Sequence, residues 1–400
     1  MSTTDTTQEI QTVERTHVVV LGAGYAGAMA ANRLRRNPAV DVTVVNPQPF
    51  FVQRIRLHQF IARTGEPQAA FDDVLGDGID VVVDTAVRID ARARRVHLAS
   101  GKHVDYDYLI YAIGSRHHLP DLPGAADHAL SASDWAAAQH LRERIDALDA
   151  GAPVVVVGGG LTGVELAGEL AERGFAVTLA GGGAVAPSVG ERGRRATIRQ
   201  IGRLGVDVLD NARVIAVETS RVILETEGRE QYLPSAATVF ATGFQAPELA
   251  ADSGLTTDGI GRLQTDESLT SVDDDRILGA GDAVAVQGIT LRMSCQAAQP
   301  LGAQAAEAVL ARIAGDRPIP VDQAFVAQCT SIGRHAATLQ FTRRDDSPAR
   351  AVVTGRLAAL AKEAVCRGTV WNIRREGAHP GAFSWLRGRE VTAEREPVLQ

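Results

Sequence analysis

Two parts of the chain repeat one order of apolar and polar positions. Each begins with a short run of apolar, mostly β-branched residues, Thr16–Leu21 and Pro153–Val157, which is typical of a buried parallel strand. Each run leads into a glycine-rich segment, a helical stretch and a second apolar run, at 40–45 and 175–180. A strand, a helix and a strand in this order predict a βαβ unit.

A second pair of segments recurs in the same order, 108–115 (YLIYAIGS) and 237–244 (ATVFATGF). The glycine-rich segments lie 136 residues apart (158 − 22), and these two lie 129 apart (243 − 114). Two elements that recur at nearly one offset predict two dinucleotide-binding domains in tandem. The predicted fold class is therefore α/β, with two tandem Rossmann-like domains and a small C-terminal α+β domain.

Composition and charge exclude several classes of protein. Hydrophobic residues make up 45% and charged residues 22% of the chain, which excludes a disordered or fibrous protein. The net charge of −7 (41 − 48) argues against a nucleic-acid partner. No apolar run reaches the roughly 18 residues that span a bilayer, and the polar N-terminus lacks the features of a targeting peptide. We expect a cytoplasmic protein.

The chain has three cysteines, Cys295, Cys329 and Cys366. Because they are few, far apart and never in a Cys-x-x-Cys pair, they exclude a disulfide framework and a cysteine zinc site. The histidines show no ligand spacing either, so no metal site is predicted.

Each glycine of the first glycine-rich segment has a predicted structural role. Gly22 permits a tight turn, Gly24 lets a pyrophosphate approach the backbone, and Gly27 lets helix and strand pack closely. Phosphates then lie at the N-terminus of the helix, where free N–H groups and the helix dipole favour anions. The second segment has the same spacing at Gly158, Gly160 and Gly163.

The residues after the second strand of each unit bear on the nucleotide ribose. An acid normally lies there, but the first unit has Asn46, which can still donate to and accept from a diol. The second unit has 181–183 (GGG), where nothing repels a 2′-phosphate. The arginines Arg192, Arg194 and Arg195 follow, either to meet such a phosphate or as a solvated basic face. NADH and NADPH both stay open.

Together with the late segment 279–283 (GAGDA), these motifs resemble the flavoproteins with two dinucleotide-binding domains, such as glutathione reductase, ferredoxin reductases and type II NADH dehydrogenases. The resemblance covers roughly residues 16–340. It implies FAD in the first domain, NADH or NADPH in the second, and Asp282 on the ribityl chain of the flavin. The implied division is a disordered tail at 1–15, an FAD-binding domain at 16–150 and 266–320, a nicotinamide-nucleotide domain at 151–265 and a C-terminal domain at 321–400.

The predicted cofactor-binding residues lie in the two glycine loops and at the ends of neighbouring strands. Arg54 belongs to a basic cluster with Arg56 and His58, where arginines near a phosphate are expected and His58 could deliver a proton to a reduced quinone. The full set is Gly22, Gly24, Tyr25, Ala26, Gly27, Asn46, Arg54, Ala112, Gly114, Gly158, Gly160, Thr162, Gly163, Gly243, Gly281, Asp282 and Gln296.

The absence of a redox cysteine pair indicates which branch of the family the sequence resembles. Disulfide reductases of this kind carry a redox cysteine pair, but 50–58 and 161–170 contain no cysteine. Electrons are therefore expected to leave the flavin directly for a diffusing acceptor.

Three predicted catalytic residues resemble those of type II NADH dehydrogenases and apoptosis-inducing-factor-like quinone reductases. Glu165 matches a glutamate near nicotinamide and flavin, although an acid early in a helix is also favoured by the helix dipole. Gln296 matches the glutamine of an Ala-Gln motif facing the flavin and the quinone, with Cys295 replacing the alanine. Lys362, one of only two lysines against 39 arginines, matches a lysine near the flavin; the alternative is an exposed, paired helical lysine.

The expected activity is FAD-dependent transfer of electrons from NADH or NADPH to a quinone-like molecule. The alternatives are a reductase of a carrier such as ferredoxin or rubredoxin, a tailoring oxidoreductase, and a redox-sensing protein.

An amphipathic helix is predicted at about 356–367. The aromatic residues beyond it predict a tail that covers the flavin or forms a subunit contact, in a monomer or homodimer. The alternative is peripheral contact with the inner face of the membrane.

Overall fold

The computed structural model describes residues 15–117 and 119–388. The predicted disordered tail lies outside these residues except for Arg15, whose side chain pairs with Asp41. The first elements are β1 (Thr16–Leu21), α1 (Tyr25–Leu34), β2 (Val40–Asn46), β3 (Phe50–Val52), α2 (Leu57–Ile61), β4 (Gln68–Ala70), α3 (Phe71–Val74), β5 (Ile79–Val83), β6 (Ala86–Asp90), β7 (Arg95–Leu98), β8 (His103–Asp105) and β9 (Tyr108–Tyr111).

The middle of the chain contains the second set of elements. They are β10 (Arg116–His117), α4 (Ala125–His128), β11 (Ala129–Ser131), α5 (Trp135–Asp146), β12 (Pro153–Val157), α6 (Leu161–Glu172), β13 (Ala176–Ala180), α7 (Glu191–Arg203), β14 (Asp207–Leu209), β15 (Arg213–Val217), β16 (Arg221–Thr226), β17 (Arg229–Pro234), β18 (Ala237–Phe240) and β19 (Phe244–Gln245).

The last part of the chain returns to the first sheet and then forms a separate layer. Its elements are α8 (Leu249–Asp252), β20 (Leu263–Thr265), β21 (Ile277–Gly279), β22 (Val284–Val286), α9 (Cys295–Ile313), β23 (Ala327–Ile332), β24 (Ala336–Thr342), β25 (Pro348–Thr354) and α10 (Arg356–Ala378).

Two parallel five-stranded sheets form the framework. Their strand orders are β21-β9-β1-β2-β5 and β11-β18-β12-β13-β14. Both central strands, β1 and β12, are buried through β-branched side chains, as expected for strands covered on both faces. The sheets are built alike except at one edge: the last strand of the first sheet, β21, comes from the chain after the second sheet. The predicted α/β fold class is confirmed.

The C-terminal layer is the antiparallel sheet β23-β24-β25 followed by α10. The sequence predicts this helix only to about residue 367, which is wrong, because the helix continues to Ala378. Its second half buries Val370 and Ile373 in the core of the first sheet, and Asn32 of α1 donates to the Ile373 carbonyl at 3.1 Å. Tertiary packing therefore maintains the helix beyond the point where its amphipathic pattern fades.

Candidate active site

The first glycine loop, between β1 and α1, leaves room only where a ligand would approach. Gly22 has a φ of +90°, and a Cβ there would meet the Ala112 carbonyl oxygen at 2.6 Å. A Cβ on Gly27 would overlap the Gly22 carbonyl oxygen. A Cβ on Gly24, in contrast, would have no atom within 4 Å. The loop is thus closed toward the protein and open at Gly24, at the N-terminus of α1.

The second loop, between β12 and α6, has the same geometry. Gly158 has a φ of +127°, and a Cβ there would meet the Ala241 carbonyl oxygen at 2.5 Å. A Cβ on Gly163 would overlap the Gly158 carbonyl oxygen, whereas Gly160 is open. Both loops therefore present a helix N-terminus with free backbone N–H groups, a common arrangement for binding phosphates.

Asn46, at the end of β2, is partly used by the protein itself. Its Oδ1 accepts a hydrogen bond from the Ala23 N–H at 2.9 Å, and its Nδ2 donates to the Gln48 carbonyl at 2.8 Å. A carboxylate at this position could not make the second of these bonds, because it has no donor. Asn46 thus ties the glycine loop to the segment after β2 while keeping one N–H for a ligand.

Asp282 belongs to a short polar network that reaches across the first sheet. Its Oδ2 accepts a hydrogen bond from Ser115 Oγ at 2.9 Å, and Arg54 Nη1 lies 3.9 Å from the same oxygen. Arg54 also donates to Ser115 Oγ at 3.3 Å and to the Ser133 carbonyl at 2.8 Å. The network positions a carboxylate and a guanidinium side by side at the carboxyl ends of β9 and β21.

Glu165 and Lys362 form a buried ion pair, with Lys362 Nζ 2.9 Å from Glu165 Oε1. Both side chains are only 12–13% exposed. The Ser331 N–H and hydroxyl donate to the same oxygen at 3.0 and 3.2 Å, and Lys362 also donates to the Cys329 carbonyl at 3.3 Å. Helix α6, the end of β23 and helix α10 thus converge on one carboxylate.

The two charges of this pair stabilise each other. Burial is the largest single influence on Glu165 and acts to raise its pKa, but the charge and hydrogen bond of Lys362 and the Ser331 N–H, with the other neighbouring groups, together outweigh it, so the pKa is lowered. Burial is likewise the largest single influence on Lys362 and acts to lower its pKa, but the charge and hydrogen bond of Glu165, together with the nearby Cys366 and Cys295, outweigh it, so the pKa is raised. Both groups are therefore ionised at neutral pH.

Of the two neighbouring basic residues, His58 is uncharged at neutral pH and Arg56 is paired with a carboxylate. Burial lowers the pKa of His58 to about 4, and its Nε2 lies 3.2 Å from Ser331 Oγ. His58 is therefore neutral at pH 7, which does not suit the predicted delivery of a proton by its cationic form. Arg56 is bound at 2.9 Å by Glu363 of α10.

Most of the predicted residues line one cavity of about 2620 Å³. The exceptions are the glycines Gly27, Gly158 and Gly163, which lie buried beneath the loops. The predicted residues that line it are Gly22, Gly24, Tyr25, Ala26, Asn46, Arg54, Ala112, Gly114, Gly160, Thr162, Glu165, Gly243, Gly281, Asp282, Gln296 and Lys362.

Part of the cavity wall comes from the C-terminal layer and its flanking segments, where apolar side chains lie beside the polar Gln328, Arg344 and Asp346. Phe325, Leu339, Phe341, Trp385 and Leu386 contribute to it. The tail is fixed there by a hydrogen bond from Trp385 Nε1 to the Asp322 carbonyl at 2.8 Å and from the Ala324 N–H to the Leu386 carbonyl at 2.9 Å. The segment after α10 therefore packs along the cavity.

All three cysteines are free, and all three lie close enough to Lys362 for its positive charge to act on their pKa values. Burial raises the pKa of Cys295 and of Cys329 to about 11 each. At neutral pH they are therefore thiols rather than reactive thiolates.

Several site residues escaped the sequence patterns. Ser115 follows the predicted Gly114 and could have been found as the polar residue at a strand end. Ser331, Arg292 and Asp346 come from the C-terminal layer or the loop before α9, for which no motif was available. Among the described residues, no group of three or more potential metal ligands occurs.

Comparison with known proteins identifies the family. The sequence profile described as "Pyridine nucleotide-disulphide oxidoreductase" matches residues 16–308. The chain belongs to this family. The protein is thus an oxidoreductase, and the match spans both glycine loops, Asp282 and the first part of α9, leaving the C-terminal layer outside it.

Two relatives and one solved structure illustrate the similarity. An NADH dehydrogenase-like protein of Mycobacterium tuberculosis is 32% identical over 318 residues, 72% of this chain and 78% of its own length. A type II NADH:quinone oxidoreductase of Staphylococcus aureus is 25% identical over 310 residues, 68% of this chain and 75% of its own. The structure of NDH2 from Plasmodium falciparum shares the fold, with a TM-score of 0.78 over 91% of this chain and 97% of its own at 15% identity.

Proposed function

We propose that this protein is an FAD-dependent NADH oxidoreductase that passes electrons from the flavin directly to a quinone. The observation that carries the proposal is one cavity that both phosphate-type loops line, together with aromatic and aliphatic side chains from the C-terminal part of the chain. Relatives named for NADH dehydrogenase and NADH:quinone oxidoreductase activity support it.

The residues of the first loop fit a flavin dinucleotide. Gly24 leaves the backbone open to a pyrophosphate, and the N-terminus of α1 supplies N–H donors. Asn46 would meet the ribose hydroxyls, Arg54 a phosphate, and Asp282 the hydroxyls of the ribityl chain. FAD, when bound, supplies the capacity to take a hydride equivalent from a nicotinamide and release two electrons to an acceptor.

The loop at Gly160 would bind the pyrophosphate of the nicotinamide nucleotide. We infer that NADH is the donor, because two of the three arginines available for a 2′-phosphate, Arg194 and Arg195, are paired with acids. Arg194 is bound by Asp210 at 2.5 Å, and Arg195 lies 3.4 Å from Glu191. Reduction by NADPH is therefore compared with reduction by NADH.

The Glu165–Lys362 pair would hold a fixed positive charge at the cavity. Glu165 and the Ser331 N–H that bonds it keep Lys362 in place, so that the ammonium does not have to reorganise when negative charge develops nearby. Lys362 would therefore be the electrostatic residue, and Glu165 the residue that positions it. Gln296 would face the acceptor.

We place membrane contact on α10. Leu357 and Leu360 are 72% and 69% exposed on one face of the helix, and Trp371 continues that face with Arg375 over its ring at 5.2 Å. Apolar side chains beside arginines suit an anionic bilayer surface. Among the described residues, no helix is long and apolar enough to cross a bilayer.

Anaerobic reduction followed by oxidation tests the proposal. The purified, FAD-loaded protein is mixed with NADH, and in parallel with NADPH, while the flavin absorbance is followed. Bleaching by NADH, much slower bleaching by NADPH, and recovery of the absorbance with quinones are expected.

Three results would count against this function. A protein that binds no flavin, or whose flavin is bleached by neither nucleotide, is not this enzyme. Reoxidation by ferredoxin or rubredoxin but not by quinones would identify a carrier reductase, and a long-lived reduced complex that no acceptor reoxidises would indicate redox sensing.

A further inference from the structure

Arg292 connects three parts of the cavity wall. It lies in the loop before α9, and its Nη2 donates to Gln296 Oε1 at 3.2 Å and to the Ala327 carbonyl at 3.4 Å. Its guanidinium carbon lies 5.2 Å from the centre of the Phe325 ring. All four residues line the cavity. Arg292 thus links the first turn of α9 to the start of the C-terminal sheet.

Asp346 provides the counter-charge for Arg292. It lies in the turn between β24 and β25, with its Oδ2 3.3 Å from Arg292 Nε, and both side chains are less than one-fifth exposed. Burial raises the pKa of Asp346 to about 6, although Arg292 and Gln328 act to lower it. Arg292 Nε and Asp346 Oδ1 are buried without a hydrogen-bond partner in the described chain. A buried pair that leaves polar atoms unsatisfied contributes little to stability, which favours a positioning role.

The contact with Arg292 fixes which end of the Gln296 amide faces the cavity. A guanidinium has only donors, so the amide atom that meets it must be the oxygen. The Nε2 group is then directed away from Arg292, and no group in residues 15–117 or 119–388 accepts a hydrogen bond from it. Gln296 therefore offers two N–H donors to a ligand in the cavity.

We propose that Arg292, anchored by Asp346, is a positioning residue that fixes Gln296 as a hydrogen-bond donor, so that the site selects electron acceptors with a ring carbonyl oxygen. The inference rests on the proposed function, including its quinone acceptor, and adds the two residues that position the hydrogen-bond donor. The overall reaction is NADH + H⁺ + quinone → NAD⁺ + hydroquinone, in which the hydride supplies two electrons and one proton and solvent supplies the second proton.

Ferricyanide separates recognition of the carbonyl from electron transfer. It accepts one electron and has no carbonyl oxygen, so NADH + 2 ferricyanide → NAD⁺ + H⁺ + 2 ferrocyanide needs no donor at Gln296. Each variant is therefore assayed with a short-tailed quinone and with ferricyanide, and the rate at which NADH bleaches its flavin is recorded.

Gln296→Glu is the sharpest variant. Its carboxylate keeps the contact with Arg292 and strengthens it as an ion pair, but it offers no N–H to a carbonyl and repels its oxygen. The KM for the quinone is expected to rise by about tenfold or more, as for loss of one hydrogen bond in a buried site. The ratio of quinone turnover to ferricyanide turnover should fall by a similar factor, because only the quinone needs the N–H donor.

Variants of Arg292 and Asp346 test positioning. Arg292→Gln should raise the quinone KM by several-fold, because the Gln296 amide is then free to rotate. Arg292→Lys should recover most of the difference, because an ammonium still donates to Gln296 Oε1. Asp346→Asn should have a smaller effect in the same direction. Arg343→Gln is the matched control, because Arg343 lies in the same turn but its side chain donates to Ser347 and to the Pro348 carbonyl rather than to Asp346 or Gln296.

The inference is overturned if Gln296→Glu keeps the wild-type quinone KM, or if Arg292→Gln lowers quinone and ferricyanide turnover equally. If Arg292→Gln does not fold, Arg292→Lys and Gln296→Glu decide the question. Failure of NADH to bleach the wild-type flavin would instead refute the proposed function.

Discussion

Glu169 is a buried acid with an unusual affinity for its proton. It lies one helical turn after Glu165 on α6, and its side chain is fully buried. Thr64 Oγ1 donates to its Oε2 at 2.7 Å, while its Oε1 has no hydrogen-bond partner in the described chain and lies 3.6 Å from Arg334. Burial raises the pKa of Glu169 from 4.5 to about 7. The native state therefore binds this proton more tightly than the unfolded chain does.

Glu169→Gln is expected to stabilise the protein at alkaline pH. Wild-type stability falls as the pH rises from about 4.5 through 7, because the native carboxyl ionises less readily than the unfolded one. At pH 8 the free energy of unfolding of the variant should exceed that of the wild type by about 3 kcal/mol, and the difference should fall to about 1 kcal/mol or less at pH 5. Urea denaturation of both proteins between pH 5 and 8 measures this.

Glu143→Gln serves as the control, since Glu143 is an exposed residue of α5. Its stability should match the wild type within about 0.5 kcal/mol at every pH. Equal stability of Glu169→Gln and the wild type at pH 8 would mean that Glu169 ionises there at little cost.

Single residues could be predicted from the sequence when their task is local. Gly22 needs only its own φ and a neighbouring strand, so its spacing within the loop was enough to predict it. Glu165 and Lys362 were also singled out, but their direct pairing was not predicted, because 197 residues separate them (362 − 165). Ser331, which bonds the same carboxylate, belongs to no motif and becomes recognisable only when the chain is folded.

At the scale of elements, α1 and α9 approach each other unusually closely. A Cβ on Gly302 of α9 would meet the Ala26 carbonyl oxygen of α1 at 2.1 Å. Because α1 begins at the first glycine loop and α9 begins beside Gln296, this contact sets the spacing between two walls of the cavity.

Gly302→Ala is expected to destabilise the protein by about 1–3 kcal/mol and to weaken FAD binding, because the added methyl group forces the two helices apart. Thermal denaturation and FAD titration of the refolded apoprotein measure the two effects. Gly202→Ala in α7 is the control: a Cβ there meets nothing within 4 Å, and alanine should stabilise the helix by up to about 1 kcal/mol. If Gly302→Ala behaves like Gly202→Ala, the helices are free to separate without cost.

Elements whose apolar and polar residues alternate regularly were predictable from the sequence. The elements that they pack against were less predictable. The βαβ units follow from apolar runs and glycines within some thirty residues of each other. The length of α10 was not predictable, because its second half is helical through contacts with α1, which lies more than 300 residues away. Its pattern alone indicates an end near residue 367.

At the scale of the whole molecule, the exposed apolar face of α10 predicts attachment to membranes. The wild type should sediment with anionic vesicles at low ionic strength, and Leu357→Ser with Leu360→Ser should reduce the bound fraction at least about tenfold, because two exposed leucines no longer enter the bilayer surface. Tyr232→Ser, at a side chain 53% exposed on β17, should bind like the wild type. A wild type that stays in the supernatant would refute this attachment.

The order of strands in the first sheet has a consequence for synthesis of the protein. Strand β9 pairs with β1 on one side and with β21 on the other, and β21 begins at Ile277, after the last strand of the second sheet. As the chain leaves the ribosome, the second sheet is complete at residue 240, while β9 still has an open edge that invites wrong pairing. The second sheet can therefore form first, and the first sheet is completed only after residue 279 has left the ribosome.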